Sequence, residues 1–202
     1  MKIKICGITK RDTLNFLIEN EVDYVGFIFH ENSPRNVTHG FIDEIKDVDF
    51  KKTRPVCVFV NADKSFINSS IKSFENPIIQ FHGDESEDFC KSLDYEFWKA
   101  LRIKDSKSLE DIKLFNSAEA ILFDAFKEGM FGGTGSSFDW RILNSDLLLE
   151  KKIIISGGLS IENLENALKI NPWCLDFNSG VESAPGLKDH SKIMEILSFI
   201  KK

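Results

Sequence analysis

A single (β/α)8 barrel of the TIM type is the fold class this sequence predicts, with eight parallel strands ringed by helices. Three observations carry the prediction. Short apolar runs alternate with longer amphipathic stretches along the whole 202-residue chain. Most runs are apolar at nearly every position, as parallel strands buried on both faces are. Eight strand-then-helix units can be traced, and strict alternation implies right-handed crossovers and a parallel sheet that closes at that number. No linker, low-complexity tract or charge block interrupts the chain, so residues 1–202 read as one domain. An open doubly wound sheet of the same elements is the alternative.

The strand runs are Ile3–Cys6, Tyr24–Phe29, Val56–Val60, Pro77–His82, Phe97–Ile103, Ala120–Asp124, Lys152–Ser156 and Trp173–Asn178. Helical spacing predicts helices over Lys10–Asn20, Lys64–Phe74, Ser86–Leu93, Lys107–Phe115, Trp140–Leu149, Ser160–Ile170 and His190–Ile200, with a weakly patterned one near His39–Asp47. Asp139 and Ser160 stand where N-caps would.

Composition excludes several classes. Hydrophobic residues make up 42% of the chain and charged residues 29%, with a net charge of −6, which is not the electrostatic footprint of a nucleic-acid binder. No apolar run approaches the roughly 18–20 residues of a membrane span. The N-terminus, MKIKICGITKRD, has no apolar stretch of leader length. Cysteines stand at 6, 57, 90 and 174 without a CxxC spacing. They read as reduced thiols of a cytoplasmic protein and not as a zinc site.

In such a barrel the active site lies at the C-terminal strand ends. The residues there are Cys6-Gly7, Ser33-Pro34-Arg35, Asn61, His82-Gly83-Asp84, Asp124, Ser156-Gly157-Gly158 and Asp176-Phe177-Asn178-Ser179-Gly180. Gly157 and Gly158 after strand 7, and Ser179 and Gly180 after strand 8, can form a phosphate cradle, since glycine backbone approaches an anion closely and a following helix N-terminus attracts it. Gly132-Gly133-Thr134-Gly135 after strand 6 adds Gly133 and Gly135 to that cradle. No GK[ST] follows, which disfavours a nucleotide P-loop. Cys6 and Asp124 flank the cradle, because strands 6, 7, 8 and 1 are consecutive around the ring. A thiol and a carboxyl on opposite sides of a bound sugar phosphate suit one base and one acid, without metal or cofactor. Cys57, Cys90 and Cys174 read as structural, and Trp98, Trp140 and Trp173 as packing. His30 reads as a solvated loop residue, His39 and His190 as helix starts.

The chain resembles the phosphoribosylanthranilate isomerase family. The segments that carry the resemblance are Lys4-Ile5-Cys6-Gly7-Ile8-Thr9, Gly26-Phe27, Ser33-Pro34-Arg35, Val58-Phe59-Val60-Asn61, Gln80-Phe81-His82-Gly83-Asp84-Glu85, Gly132-Gly133-Thr134-Gly135 with Phe138-Asp139-Trp140, Ser156-Gly157-Gly158-Leu159, and Ser179-Gly180-Val181-Glu182 with Pro185-Gly186-Lys188-Asp189. They occur in family order over essentially the whole chain.

The resemblance implies a cofactor-free Amadori rearrangement of N-(5-phosphoribosyl)anthranilate in tryptophan biosynthesis, with no obligatory protein partner. It also implies that Asp124 is the general acid, Cys6 the general base and Arg35 the contact to the anthranilate carboxylate through two parallel bonds. His82 and Asp176 match positions near the substrate. Such chemistry asks for a lowered Cys6 pKa and a raised Asp124 pKa. Two residues depart from the pattern. Asn178 stands where the family more often has Ser, and its amide could donate to phosphate or sugar. Phe81 stands for an aliphatic residue.

Three rivals follow from the same features. The histidine-pathway isomerase would want Asp where Cys6 stands. An aldolase or epimerase would want a Schiff-base lysine, for which Lys99 inside strand 5 has no supporting feature, or metal ligands. A non-catalytic phosphate-binding barrel would lose nothing on substitution of Cys6 or Asp124.

Overall fold

Eight parallel strands close into a barrel in the order in which they occur along the chain. The structure is a computed structural model, and it describes residues 1–125, Trp140 and residues 151–201. The strands are β1 Lys2–Cys6, β2 Tyr24–Phe29, β3 Arg54–Phe59, β4 Ile78–Phe81, β5 Phe97–Ile103, β6 Ala120–Ala125, β7 Lys152–Ile155 and β8 Cys174–Phe177. β8 returns to pair with β1, Lys4 facing Asp176 and Ile5 facing Phe177. Closure leaves no sheet edge and excludes the open-sheet alternative.

Residue parity sorts the two cores. Cys6, Val56, Val58, Ile78, Trp98, Ala100, Ala120, Leu122, Ile154 and Cys174 form one buried cluster, the barrel interior. Ile5, Phe27, Phe59, Phe81, Phe123, Ile155 and Phe177 instead join helix residues such as Leu14, Leu17, Ile67 and Leu164 in the layer between sheet and helices. Side chains alternate along a strand, so even-numbered strand positions point inward. Trp98 plugs the N-terminal end of the interior, edge-on to Tyr24 at 4.9 Å and to Trp173 at 5.8 Å. Phe81 packs outward, edge-on to Phe89 and Phe97.

The outer helices are α1 Arg11–Glu19, α2 His39–Ile45, α3 Lys64–Ile71, α4 Glu87–Lys91, α5 Leu164–Leu168 and α6 His190–Ile200. The weakly patterned α2 is anchored by buried Phe41, Ile42 and Ile45. Thr38, Asp63, Ser86 and Asp189 cap α2, α3, α4 and α6, their side-chain oxygens accepting backbone N–H bonds.

Two predicted helices differ. The stretch after β5 is a 3-10 helix, Ser106–Leu114, opened by an Asp105 capping box with Ser108. The helix after β7 begins only at Leu164, so Ser160 is not its N-cap. Instead the Asn163 amide bridges this turn, accepting from the Ser160 N–H at 3.0 Å and donating to the Gly158 carbonyl at 2.8 Å. The predicted Trp140–Leu149 helix and the Asp139 cap lie outside the described residues, Trp140 excepted. An antiparallel hairpin not anticipated from the runs, β9 Glu182–Ala184 and β10 Leu187–Lys188, follows a 3-10 turn at Ser179–Val181. Pro185-Gly186 makes its bend, with Gly186 at φ 81°.

Candidate active site

The inward register ends at the C-terminal rim in Cys6 on β1, His82 just past β4, Asp124 on β6, Ser156 just past β7 and Asp176 on β8. All five are buried. Cys6 faces Gly26 across the β1–β2 ladder. A Cβ on Gly26 would lie 2.5 Å from the Cys6 sulfur, so the thiol occupies the room that the missing side chain leaves. Just beyond, Gly7 at φ 77° lets the chain turn where the Arg35 side chain crosses, with Arg35 Cδ 2.7 Å from the position of a Cβ.

A buried hydrogen-bonded chain runs along the opposite wall. Gln80 Nε2 lies 3.0 Å from His82 Nδ1, and His82 Nε2 lies 3.1 Å from Asp124 Oδ2. Because the Gln80 amide nitrogen can only donate, Nδ1 accepts and Nε2 carries the proton that it gives to Asp124. Lys4 lies one inward layer below Cys6, wholly buried, with Nζ 2.8 Å from Asp176 Oδ2. Oδ1 of the same carboxylate is buried without a hydrogen-bond partner among the described residues.

Charge sets the thiol. Burial pushes the Cys6 pKa up, and Lys4 and Lys188 pull against it while Asp176 adds to the rise. The net direction is upward, the reverse of the lowering expected from the sequence. The reason is desolvation of a thiolate inside the barrel, which the nearby ammonium groups offset only in part. Burial likewise raises Asp176, against Lys4 and His82.

Arg35 departs from its expected posture. Its Nε and Nη2 donate to Glu182 Oε1 and Oε2 at 2.8 and 2.7 Å, so that fork is filled from within the protein. Lys188 donates to the same Glu182 at 2.7 Å and to the Asn178 side-chain carbonyl at 2.8 Å. The Asn178 oxygen is thus committed to Lys188, and only its NH2 could meet a phosphate. Burial raises the Glu182 carboxyl, but bonds from Arg35 and Lys188 outweigh it and hold the carboxyl below its usual range.

The loops after β7 and β8 meet. Gly157 and Gly158 have φ of 83° and 65°, and a Cβ on Gly180 would lie 1.9 Å from the Leu159 carbonyl oxygen. Because α5 starts at Leu164, its N-terminus does not follow Gly158 directly. Any anion held there would rest on loop amides. Gly133 and Gly135 lie outside the described residues.

Lys99, at odd register, points to the helix layer, where Nζ bonds the Gly83 carbonyl at 2.7 Å and Glu85 at 2.9 Å. Among the described residues no group of three or more His, Cys, Asp and Glu side chains could hold a metal ion. No helix among them is long and apolar enough to cross a membrane.

Sequence reasoning missed Lys4, Glu182 and Lys188 as parts of this rim. The signal for them was that all three fall in family-like motifs, and that Lys4 has the parity of Cys6.

A (β/α)8 barrel that gathers a thiol, two carboxylates, an imidazole and glycine loops at its C-terminal rim defines an enzyme of the barrel class. The family is given by comparison. The model of "PRAI: N-(5'phosphoribosyl)anthranilate (PRA) isomerase" matches residues 3–199. The N-(5'-phosphoribosyl)anthranilate isomerases of Thiobacillus denitrificans and a Marinomonas species are 36% and 39% identical, over 100% and 99% of this chain and 98% of each relative. The phosphoribosyl anthranilate isomerase structure from Thermus thermophilus superposes with a TM-score of 0.89 at 25% identity, covering 100% of this chain and 98% of that one. A phosphoribosyl anthranilate isomerase in complex with reduced 1-(o-carboxyphenylamino)-1-deoxyribulose 5-phosphate has a TM-score of 0.83 at 28% identity, over 100% and 98% of the two chains. The chain belongs to the phosphoribosylanthranilate isomerase family, and its activity is the isomerisation of N-(5'-phosphoribosyl)anthranilate in tryptophan biosynthesis.

Proposed function

We propose that the isomerisation is a cofactor-free Amadori rearrangement with Asp124 as general acid and Cys6 as general base. One observation carries the assignment: both side chains stand at inward register at the ends of β1 and β6, with the glycine loops after β7 and β8 between those strands. A 5-phosphate bound by Gly157, Gly158, Ser179 and Gly180 would lay the ribose between acid and base.

Asp124 gives its proton to the ribose ring oxygen. The C1′–O bond breaks and a protonated imine forms at C1′. Cys6 thiolate then takes the C2′ proton, and the C–H electron pair forms the C1′–C2′ double bond as the imine nitrogen becomes neutral. The enolamine tautomerises to the aminoketone, 1-(2-carboxyphenylamino)-1-deoxyribulose 5-phosphate. His82 orients the Asp124 carboxyl through its bond to Oδ2. The imine cation acidifies C2′ and favours a thiolate beside it, which offsets the burial that holds the free thiol up. Arg35 meets the anthranilate carboxylate from its Nη1 side. Asp176, with one bare oxygen, accepts from a ribose hydroxyl.

The test generates the labile substrate in situ from anthranilate and phosphoribosyl pyrophosphate and follows its fluorescence decay. Cys6→Ser and Asp124→Asn should each lose at least about a hundredfold in kcat while folded. The bell-shaped pH profile should lose one limb in one variant and the other limb in the other. An unchanged profile in both variants removes the assignment.

A further inference from the structure

The acid–base scheme gives Asp176 a hydroxyl to accept from and leaves its buried partner Lys4 without a role. Lys4 and Asp176 face each other across the β1–β8 seam, one inward layer below Cys6, 0% and 5% exposed, with Nζ and Oδ2 2.8 Å apart. Taking both charges out of water costs more than their attraction returns unless their remaining valences are met. They are not all met, since Asp176 Oδ1 has no partner among the described residues. Apart from the polar chain of Gln80, His82 and Asp124, the interior around the pair is largely apolar, with Val58, Ile78, Trp98, Leu122 and Ile154. An apolar pair of similar volume would fill the layer, so packing does not account for the ions.

Their position relative to the thiol does. Cys6 follows Lys4 by two residues and shares its face of β1. Its neighbour across β2 is Gly26, which offers no side chain. The side chains of Lys4 and Cys6 therefore stand in successive inward layers of one strand, where the charge on Lys4 favours the ionised thiol. Among the described residues, the charges that act on this thiol are Lys4 from β1, Asp176 from β8, Lys188 from β10 and Arg35 from the loop after β2. Both Lys188 and Arg35 are tied to Glu182. Lys4 shares its inward strand face with the thiol and bonds the Asp176 carboxylate.

We propose that Lys4 is a positioning residue for the isomerase reaction, its ammonium shared between Asp176 and the Cys6 sulfur so that it stabilises the thiolate that removes the C2′ proton. The inference rests on the reading of Cys6 as general base and deepens it. Lys4 keeps all its protons throughout. It donates to the sulfur while that atom is anionic, and it is held by Asp176 once the C2′ proton has formed the S–H bond. Asp176 competes with the thiolate for the same ammonium, so the two residues act on Cys6 with opposite signs.

The opposed signs make the test. In protein labelled with 13C-cysteine, the Cys6 Cβ resonance, assigned by its loss in Cys6→Ser, reports the titration of the thiol directly. Lys4→Met should move the Cys6 midpoint up by about one unit or more, and kcat at pH 7.5 should fall about tenfold or more. Asp176→Asn should move the midpoint down. Circular dichroism and thermal unfolding establish that the variants are folded. Where Lys4→Met alone does not fold, Lys4→Met/Asp176→Asn removes both charges, and its midpoint should still lie above that of Asp176→Asn. Where a midpoint lies above the accessible range, the rate of iodoacetamide capture at Cys6, read by peptide mass mapping at fixed pH, should fall in Lys4→Met and rise in Asp176→Asn. Shifts in the same direction, or midpoints and capture rates equal to the wild type, overturn the proposal. Retained turnover in Cys6→Ser would remove the general-base reading and this role with it. An inactive Cys6→Ser beside an unmoved midpoint in Lys4→Met would overturn the role of Lys4 alone.

Discussion

The Cys6 sulfur occupies the space that a side chain on Gly26 would fill, 2.5 Å from where its Cβ would stand. That Cβ would also lie 3.0 Å from the Cys6 Cα, so a methyl group there presses on both thiol and strand. Gly26→Ala should fold with a modestly lowered Tm and lose about ten- to a hundredfold in kcat, because a displacement of about 1 Å at a reacting group costs that much. Full activity in the substrate-decay assay would show that the thiol does not need this position.

Arg35 and Glu182 form a buried fork that also involves Lys188. Arg35→Ala should raise KM at least tenfold through the lost carboxylate contact, with kcat changed by less than about threefold. It should also destabilise the fold by about 2–3 kcal/mol, since charged hydrogen bonds to a buried carboxylate are lost. Adding Glu182→Gln should recover part of the stability and none of the KM. Recovery of both would make Arg35 structural.

The same carboxyl sets a pH dependence. The folded Glu182 pKa lies below its ordinary value, despite burial, because Arg35 and Lys188 bond the ionised form. A carboxyl depressed on folding adds stability that is complete above the unfolded value of about 4.3 and is lost as pH falls through the lower folded value. In urea titrations from pH 6 to pH 3, the excess stability of the wild type over Glu182→Gln should be level above about pH 5 and shrink below about pH 4.3. A difference that grows on acidification contradicts the sign.

Lys99 and Glu85 are both 3% exposed in their side chains and face the helix layer, away from the substrate rim. Lys99→Met leaves a buried carboxylate with backbone donors from Asn61 and Gly83 alone and should cost roughly 3–5 kcal/mol. Turnover per folded molecule should stay within about threefold. Borohydride reduction with substrate should trap no adduct at Lys99, and an adduct there would revive the Schiff-base rival.

Much of this architecture was legible along the chain because parallel strands buried on both faces are apolar at both parities. The eight runs, the rim residues that end them and the helix faces of α1, α3 and α6 all followed. Helix starts were harder to read. Ser160 has the residue type of an N-cap, but the Asn163 side chain bridges Ser160 and Gly158 and delays α5 to Leu164. The segment after β5 has helical spacing, yet the Asp105 capping box opens a 3-10 helix.

Residue type and order by themselves determined the barrel, the rim and its chemical inventory, since these depend on local pattern and on the parity of positions within a strand. Only the tertiary structure decided who meets whom at that rim. Lys2 and Lys4 read alike in the sequence, but Lys2 sits half-exposed beside Asp23 while Lys4 is sealed inside against Asp176, 172 residues away. Arg35 finds Glu182 across 147 residues. Ion pairs at such separations follow from barrel closure, which returns β8 to β1. Their effect on the Cys6 thiol comes from burial, a property that no stretch of chain carries until the ring is complete.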